Sequence, residues 1–240
     1  MADVFSLDQI ERLDKPNTKR SYNRRLFTIV APAYDFVTRA LSLGRDPAWK
    51  KRLIEALPPH EAPVCVDLAC GTGDLTLKLA ERYPRGRIVG LDLNPSMLQI
   101  ARRRCRFPNV RFEQADVCDL PWPDRSVDLL TGGYALRNAP DLALMLSEVR
   151  RVLRPGGVAA FLEFSRPAGR AAGRLEYWVL KSWGSFWGWF LHGDSHVYSY
   201  IAESLRRFPD RRRLRTLMNQ HDLRRRDSRT FLLGVIELII

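Results

Sequence analysis

The chain has 240 residues, 45% of them hydrophobic, and a formal net charge of +12. That length suits one α/β domain with a substantial core, and the apolar share argues against a disordered chain. No leader-like apolar run follows Met1 and none reaches the ~18 residues of a membrane span, so a cytoplasmic protein is expected, with no secretory signal.

Residues 1–25 are polar and charged and read as an N-terminal arm or helix. Helical segments follow at Tyr34–Leu43 and Pro47–Leu57, and Pro58-Pro59 breaks the chain. Strands and helices then alternate. Val64–Ala69 is a β-branched, apolar strand that ends in Cys70-Gly71-Thr72-Gly73-Asp74, and a helix follows over 74–83. Arg87–Asp92 is a second strand. The next helix is capped by Asn94 with Pro95 at its first position. Val110–Glu113 and Ser126–Thr131 are the third and fourth strands. A helix over 141–153 stops at Arg154-Pro155-Gly156-Gly157, and Val158–Phe164 is the fifth strand. This alternation predicts a parallel, doubly wound α/β sheet. After residue 165 it lapses into an aromatic segment with two helices over 174–205, and strands near 224–229 and 231–239 complete the sheet.

The turn after the first strand brings the backbone close to a nucleoside cofactor. A dinucleotide fingerprint asks for a third small residue where Thr76 stands. The acid before the glycines, Asp67, instead suits S-adenosylmethionine, whose methionine part carries an ammonium for an acid and a carboxylate for backbone N–H groups. Asp92, nineteen residues after Gly73, can accept ribose hydroxyls. Asp116, after the third strand, can accept the adenine amino group. One such acid could be a helix cap; acids at three successive strand ends point to the cofactor.

With these residues in place, the chain resembles the ubiquinone/menaquinone-biosynthesis C-methyltransferases, within the class I methyltransferases, over about residues 20–235. The carriers are Tyr34-Asp35, Ser42-Leu43-Gly44, Trp49-Lys50, Leu68–Asp74, Gly90-Leu91-Asp92, Tyr134–Asn138, Arg151–Gly157, Leu162–Ser165 and Tyr198–Ser204 with Phe208-Pro209. The family pattern usually has Asn at Thr38, His at Asp46, and Gly-Phe-Gly where Gly133-Tyr134-Ala135 stand. The resemblance implies a seven-stranded, mostly parallel sheet with helices on both faces. An arm and helical cap would span 1–60, the cofactor core 61–165, a helical lid 166–223 and C-terminal strands 224–240. It implies methyl transfer from S-adenosylmethionine to a ring carbon of a prenylated quinol, without metal. It extends the donor set to Tyr34, Thr72, Leu93, Met97, Val117 and Gly133, beside Asp67, Gly71, Gly73, Asp92 and Asp116. Arg137 would hold the quinol oxygen or a water that takes its proton, and Asn138 and Tyr134 would orient the ring or that water. The alternative for Arg137 is a structural role, in an ion pair with Asp141 or against a helix dipole.

The remaining features concern partners. Trp178, Trp183, Trp187 and Trp189, with Phe186 and Phe190, suit a prenyl channel or a lipid interface as well as a helix core. Arg206, Arg207, Arg211, Arg212, Arg213, Arg215, Arg224, Arg225, Arg226 and Arg229 crowd the last quarter. They suit anionic lipid, nucleic acid, an acidic partner or a solvated helix face. Peripheral contact with the inner face of the membrane and a homodimer follow as expectations. Nucleic acid is disfavoured: no Asn/Asp-Pro-Pro-aromatic run follows the fourth strand, and there is no Pro-Cys dipeptide. Another lipid or natural-product acceptor, such as a phospholipid amine, and a catalytically silent scaffold are the alternatives. Cys65, Cys70, Cys105 and Cys118 lack CxxC spacing and read as free thiols. His192 and His196 are four apart, but Gly193 interrupts them and no H-E-x-x-H is formed, so no metal is expected.

Overall fold

The computed structural model describes residues 15–166, 170–192 and 196–240. Seven strands form one sheet in the order β3-β2-β1-β4-β5-β7-β6. They are β1 (Val64–Leu68), β2 (Arg87–Asp92), β3 (Val110–Gln114), β4 (Val127–Gly133), β5 (Leu153–Phe164), β6 (Ser228–Phe231) and β7 (Ile236–Ile239). The first five run parallel; β7 lies antiparallel to both β5 and β6. The chain steps outward from β1 to β3, then returns to pair β4 with the other side of β1. At that reversal the connections leave in opposite directions and open a crevice at the carboxyl ends of the strands.

Helices cover both faces. They are α1 (Pro16–Val30), α2 (Tyr34–Leu41), α3 (Asp46–Glu55), α4 (Asp74–Arg82), α5 (Pro95–Arg104), α6 (Ala135–Asn138), α7 (Leu142–Val152), α8 (Arg170–His192), α9 (His196–Arg207) and α10 (Arg211–Gln220). The period-2 alternation of a strand divides the core. Val66 and Leu68 of β1 pack with Met145, Leu146 and Val149 of α7 and with Leu214 of α10. Cys65, one residue along, faces the other way, onto Leu53 of α3 and Leu79 of α4. The fold therefore agrees with the sequence reading in sheet type and strand number, with the aromatic segment formed as α8 and α9.

The boundaries differ in places: the C-terminal strands, expected near 224–229 and 231–239, are Ser228–Phe231 and Ile236–Ile239, with a short 3-10 turn over Leu232–Gly234 between them. The helix before β5 ends at Val152, and the Arg-Pro-Gly-Gly expected as a stop lies inside the strand. Leu153 pairs with Val127, the register slips, and Val158 pairs with Leu129. The left-handed Gly156 (φ 80°) accommodates that slip, and Arg154 bonds Asp128 beside it at 2.6 Å. A third helix, α10, occupies the arginine-rich stretch. Its apolar positions Leu214 and Met218 are four apart, which turns one face inward and leaves Arg212, Arg213 and Arg215 exposed; Arg211 instead reaches back to Ser165 and Glu237.

Candidate active site

The turn after β1 passes through Ala69 (φ 49°), Gly71 (φ 55°) and Gly73 (φ 90°). Gly73 must be glycine twice over: its φ is left-handed, and a Cβ there would stand 3.1 Å from Phe112 and 3.2 Å from Ala101. The turn opens onto a cavity at the crevice, walled by Gly71, Asp92, Leu93, Met97, Asp116, Val117, Gly133 and Tyr34. These are eight of the eleven residues expected to bind the donor.

Asp92 is held by its neighbours. Gly71 N–H donates to Oδ2 and Asn94 N–H to Oδ1, each at 2.8 Å. Burial raises its pKa, against the pull of those N–H groups. Asn94 caps α5 by accepting from Ser96 N–H and Met97 N–H at 2.9 and 3.2 Å. Asp116 accepts from Cys118 N–H at 2.9 Å and from Arg20 Nε at 2.5 Å.

Three expected donor residues are not on the wall. Asp67 is fully buried in β1, on the same face as Cys65. Its two oxygens accept from the hydroxyls of Thr76 (2.6 Å) and Thr131 (2.8 Å). It braces the glycine turn against the sheet and has no surface left for an ammonium. Thr76 thus replaces the third glycine of a dinucleotide loop with a hydroxyl that the acid needs. Thr72 is also buried and donates to Asp35 Oδ1 at 2.6 Å. Gly73 serves as the N-cap position of α4.

A second cavity adjoins the first and is walled mainly by apolar side chains, among them Leu26, Val30, Val37, Leu41, Leu180 and Ile201. Phe27, Tyr34, Tyr134 and Asn138 wall both cavities and so mark where they meet. Arg137 lies at the polar end of the second.

Arg137 is 5% exposed, and its partners come from distant elements. Its Nη1 donates to Ser204 Oγ of α9, and its guanidinium lies 5.2 Å from the Phe164 ring centroid and 5.8 Å from that of Tyr200. Its counter-charge is Glu163 of β5, 3.8 Å from Nε, a buried atom without a hydrogen-bond partner. Asp141 is not its partner; it caps α7 by accepting from Leu144 N–H at 3.0 Å. Burial raises the Glu163 pKa although Arg137 opposes it. Nearby, burial and the like charge of Arg137 bring Lys19 down to about 8.

Asn138 is fixed by donating to Tyr134 O at 2.8 Å, while its own carbonyl accepts from Asn23 Nδ2 at 2.7 Å. Tyr200 Oη donates to Asn23 Oδ1 at 2.6 Å. Tyr134 has a left-handed backbone (φ 59°) and donates through its hydroxyl to buried Asp46 at 2.8 Å. Two positions at which the sequence departs from the family pattern, Asp46 and Tyr134, are therefore bonded to each other.

The sequence reading missed the contribution of α1. Arg20, Asn23, Arg24 and Phe27 all wall the first cavity. Their spacing of three and four residues puts them on one helix face, a signal present in the sequence. Of the insert aromatics, Trp178 and Trp189 are 60% and 65% exposed, while Trp187 packs on Phe36 of α2 at 5.6 Å between ring centroids. The side chains of His192 and His196 lie outside the described residues.

A model of the ubiE/COQ5 methyltransferase family matches residues 15–239. The chain is 38% identical over 195 residues to a demethylmenaquinone methyltransferase of Thermus thermophilus, covering 80% of this chain and 89% of that one. It is 36% identical over 210 residues to the ubiquinone/menaquinone biosynthesis C-methyltransferase UbiE of Hahella chejuensis, covering 85% and 84%. Among solved structures, a SAM-dependent methyltransferase of Thermotoga maritima shares the fold, with a TM-score of 0.63 over 90% of this chain and 97% of that one, at 16% identity.

Proposed function

The chain belongs to the ubiE/COQ5 methyltransferase family, enzymes of quinone biosynthesis, and we propose that its two adjoining cavities hold S-adenosylmethionine and a prenylated quinol for methylation of a ring carbon. The observation that carries this reading is the junction: four residues wall both a polar crevice at the strand ends and an apolar cavity.

The residues of the crevice fit the donor. Asp92 has lone pairs left for ribose hydroxyls after its two backbone bonds, and Leu93, Met97 and Val117 supply apolar walls for a base. Asp116, already bonded to Arg20, closes the adenine end. When bound, S-adenosylmethionine supplies an electrophilic methyl group on a sulfonium, so the protein's task is alignment and exclusion of water. Phe27 and Tyr34 enclose the junction.

Arg137 stabilises the phenolate character that makes the quinol ring carbon nucleophilic. A guanidinium stays protonated, and this one is anchored by Ser204 and Glu163 before substrate arrives. Val30, Val37, Leu41 and Leu180 give the prenyl tail an apolar path. The cavity opens beside α8, whose exposed Trp178, Trp189 and Phe190 contact the lipid–water interface, while exposed Arg212, Arg213 and Arg215 attract anionic headgroups. Among the described residues no single helix is long and apolar enough to cross a membrane. The helices α8 and α9 act as the lid.

Incubation with labelled S-adenosylmethionine and a panel of reduced demethylquinones, phospholipid amines and RNA tests the reaction. Label is expected in a quinol ring; label only in RNA or in a phospholipid amine overturns it. Flotation with anionic and neutral liposomes tests the lipid contact, and recovery with neither removes it.

A further inference from the structure

The hydroxyl of Tyr134 is not free to choose its hydrogen-bond direction. It donates to Asp46 Oδ1 at 2.8 Å. Asp46 opens α3 and is 2% exposed. Its other oxygen lies 2.7 Å from Lys50 Nζ, one turn along the same helix, and its backbone N–H donates to Ser42 Oγ at 3.1 Å. Lys50 continues to Asp74 Oδ2 at 3.1 Å, and Asp74 Oδ1 meets Arg104 Nη2 at 2.5 Å. The acid is thus locked from three sides.

The charges agree with that geometry. Burial works against the Lys50 ammonium, but Asp46 and Asp74 outweigh it and hold its pKa above the ordinary 10.5. Burial first, and the Asp46 charge next, push the Tyr134 phenol well above its ordinary value. The phenol keeps its proton, and the proton is aimed at Asp46. A hydroxyl has one donor and two acceptor lone pairs. Tyr134 walls both cavities, and with its donor committed the hydroxyl has only lone pairs to offer an acceptor ring there.

We propose that the Tyr134–Asp46 pair is a specificity device that admits the reduced, hydroxyl-bearing form of the acceptor ring and rejects the oxidised form. A quinol hydroxyl donates to the Tyr134 oxygen. A quinone carbonyl at the same place puts two acceptors face to face with no proton between them, so the carbonyl loses its water partners and gains no donor there. Arg137 cannot make this distinction, because a guanidinium donates equally well to a quinol oxygen or a quinone carbonyl. Only the quinol carries the electron density that a ring carbon needs to attack a sulfonium methyl, so rejecting the quinone keeps the site clear of an unreactive ligand. The inference rests on the quinol reading above and assigns to it Asp46, which touches neither cavity but sets the polarity of a residue that walls both.

The test is equilibrium binding with S-adenosylhomocysteine saturating, so that no turnover occurs. The probes are a short-tailed 2-prenyl-1,4-naphthoquinone and the same molecule held reduced by dithionite without oxygen. The wild type is expected to bind the reduced form at least about tenfold more tightly. Tyr134→Phe should lose that preference by weakening the reduced form alone. Asp46→Asn, whose amide can donate to the Tyr134 oxygen and release its proton toward the cleft, should lose it by strengthening the oxidised form. A merely structural role would weaken both forms together, with S-adenosylhomocysteine affinity and melting temperature falling alongside. Equal affinity of the wild type for the two forms, or a preference kept in full by Tyr134→Phe, overturns the device and leaves the quinol reading standing. Binding of neither form overturns the quinol reading, and the device with it.

Discussion

On the donor side of the cleft, the backbone bonds that fix the carboxylates are short in sequence. Asp92 takes N–H groups from residues 2 and 21 positions away, and Asp116 takes one from 2 positions away; the Arg20 side chain, 96 residues from Asp116, is the long-range exception. On the acceptor side, Arg137 is tied to Ser204 across 67 residues, Tyr134 to Asp46 across 88, and Tyr200 to Asn23 across 177. The strand ends and their turns form most of the donor wall once the sheet has formed, and α1 adds Arg20, Asn23, Arg24 and Phe27. The acceptor wall exists only after α1, α3 and α9 have docked over it. The contrast teaches that the two walls can be damaged separately, and that acceptor choice can change without touching the donor.

Arg137→Ala is the largest expected break. Turnover should fall by about 10²–10³-fold, the scale for losing an oxyanion partner, while S-adenosylhomocysteine affinity, measured by calorimetry, stays within a few-fold. The variant also leaves Glu163 buried without its counter-charge, which costs about 3–5 kcal/mol in denaturant unfolding. Turnover near the wild-type rate removes the role given to Arg137. Asp92→Asn is the mirror experiment: affinity for S-adenosylhomocysteine should fall about 10- to 100-fold, the cost of about 1–3 kcal/mol for weakened bonds to a charged acceptor. Quinol binding to the donor-free protein should not move. A joint loss of both affinities would show that the two walls are not separable.

A third test concerns the acid beneath the donor wall. Burial holds the Asp67 carboxyl up at about 6, against an ordinary 3.8. The folded chain therefore binds this proton more tightly than the unfolded chain does. The resulting penalty is full above pH 6 and fades as the pH falls toward 4. Unfolding free energies of Asp67→Asn and wild type should differ most near pH 7, by a pH-dependent part on the order of 3 kcal/mol, and that part should vanish below pH 4. A difference that is flat from pH 4 to 8 refutes the assignment. The smallest effect lies at the acceptor rim. Leu232 and Leu233 both have left-handed backbones (φ 50° and 54°), Leu233 is fully exposed, and Leu232 walls the apolar cavity. Leu233→Gly should change stability by about 1 kcal/mol or less, because relief of strain offsets the entropy of glycine, while weakening liposome flotation. Unchanged flotation would show that Leu233, although fully exposed, adds nothing to the lipid contact.

Much of the donor wall was legible because strand ends and turns write local patterns. The run from Val64 to Asp74 shows a strand, a glycine turn and a helix start, and Asp92 and Asp116 each end a recognisable strand. Asp67 shows the limit of such reading. It stands in the right place along the chain, but the alternation of β1 turns it toward Thr76 and Thr131. Arg137 was legible as a charged residue after the fourth strand, but its counter-ion was not. Asp141 is four residues away and caps a helix, whereas Glu163 reaches Arg137 because β5 lies beside β4. Arg20 and Asn23 carried a helical spacing that marked a face without saying what it would cover.

From the sequence alone came the doubly wound sheet, the methyl donor and the family, since each rests on contiguous residues whose backbone preferences and spacing act locally. Only the tertiary structure decided that Asp67 is a brace, that Glu163 balances Arg137, and that the Tyr134 hydroxyl points to Asp46. Those outcomes depend on which side chains burial forces together across 26 to 88 residues, and neither spacing nor composition encodes the direction in which a hydroxyl donates.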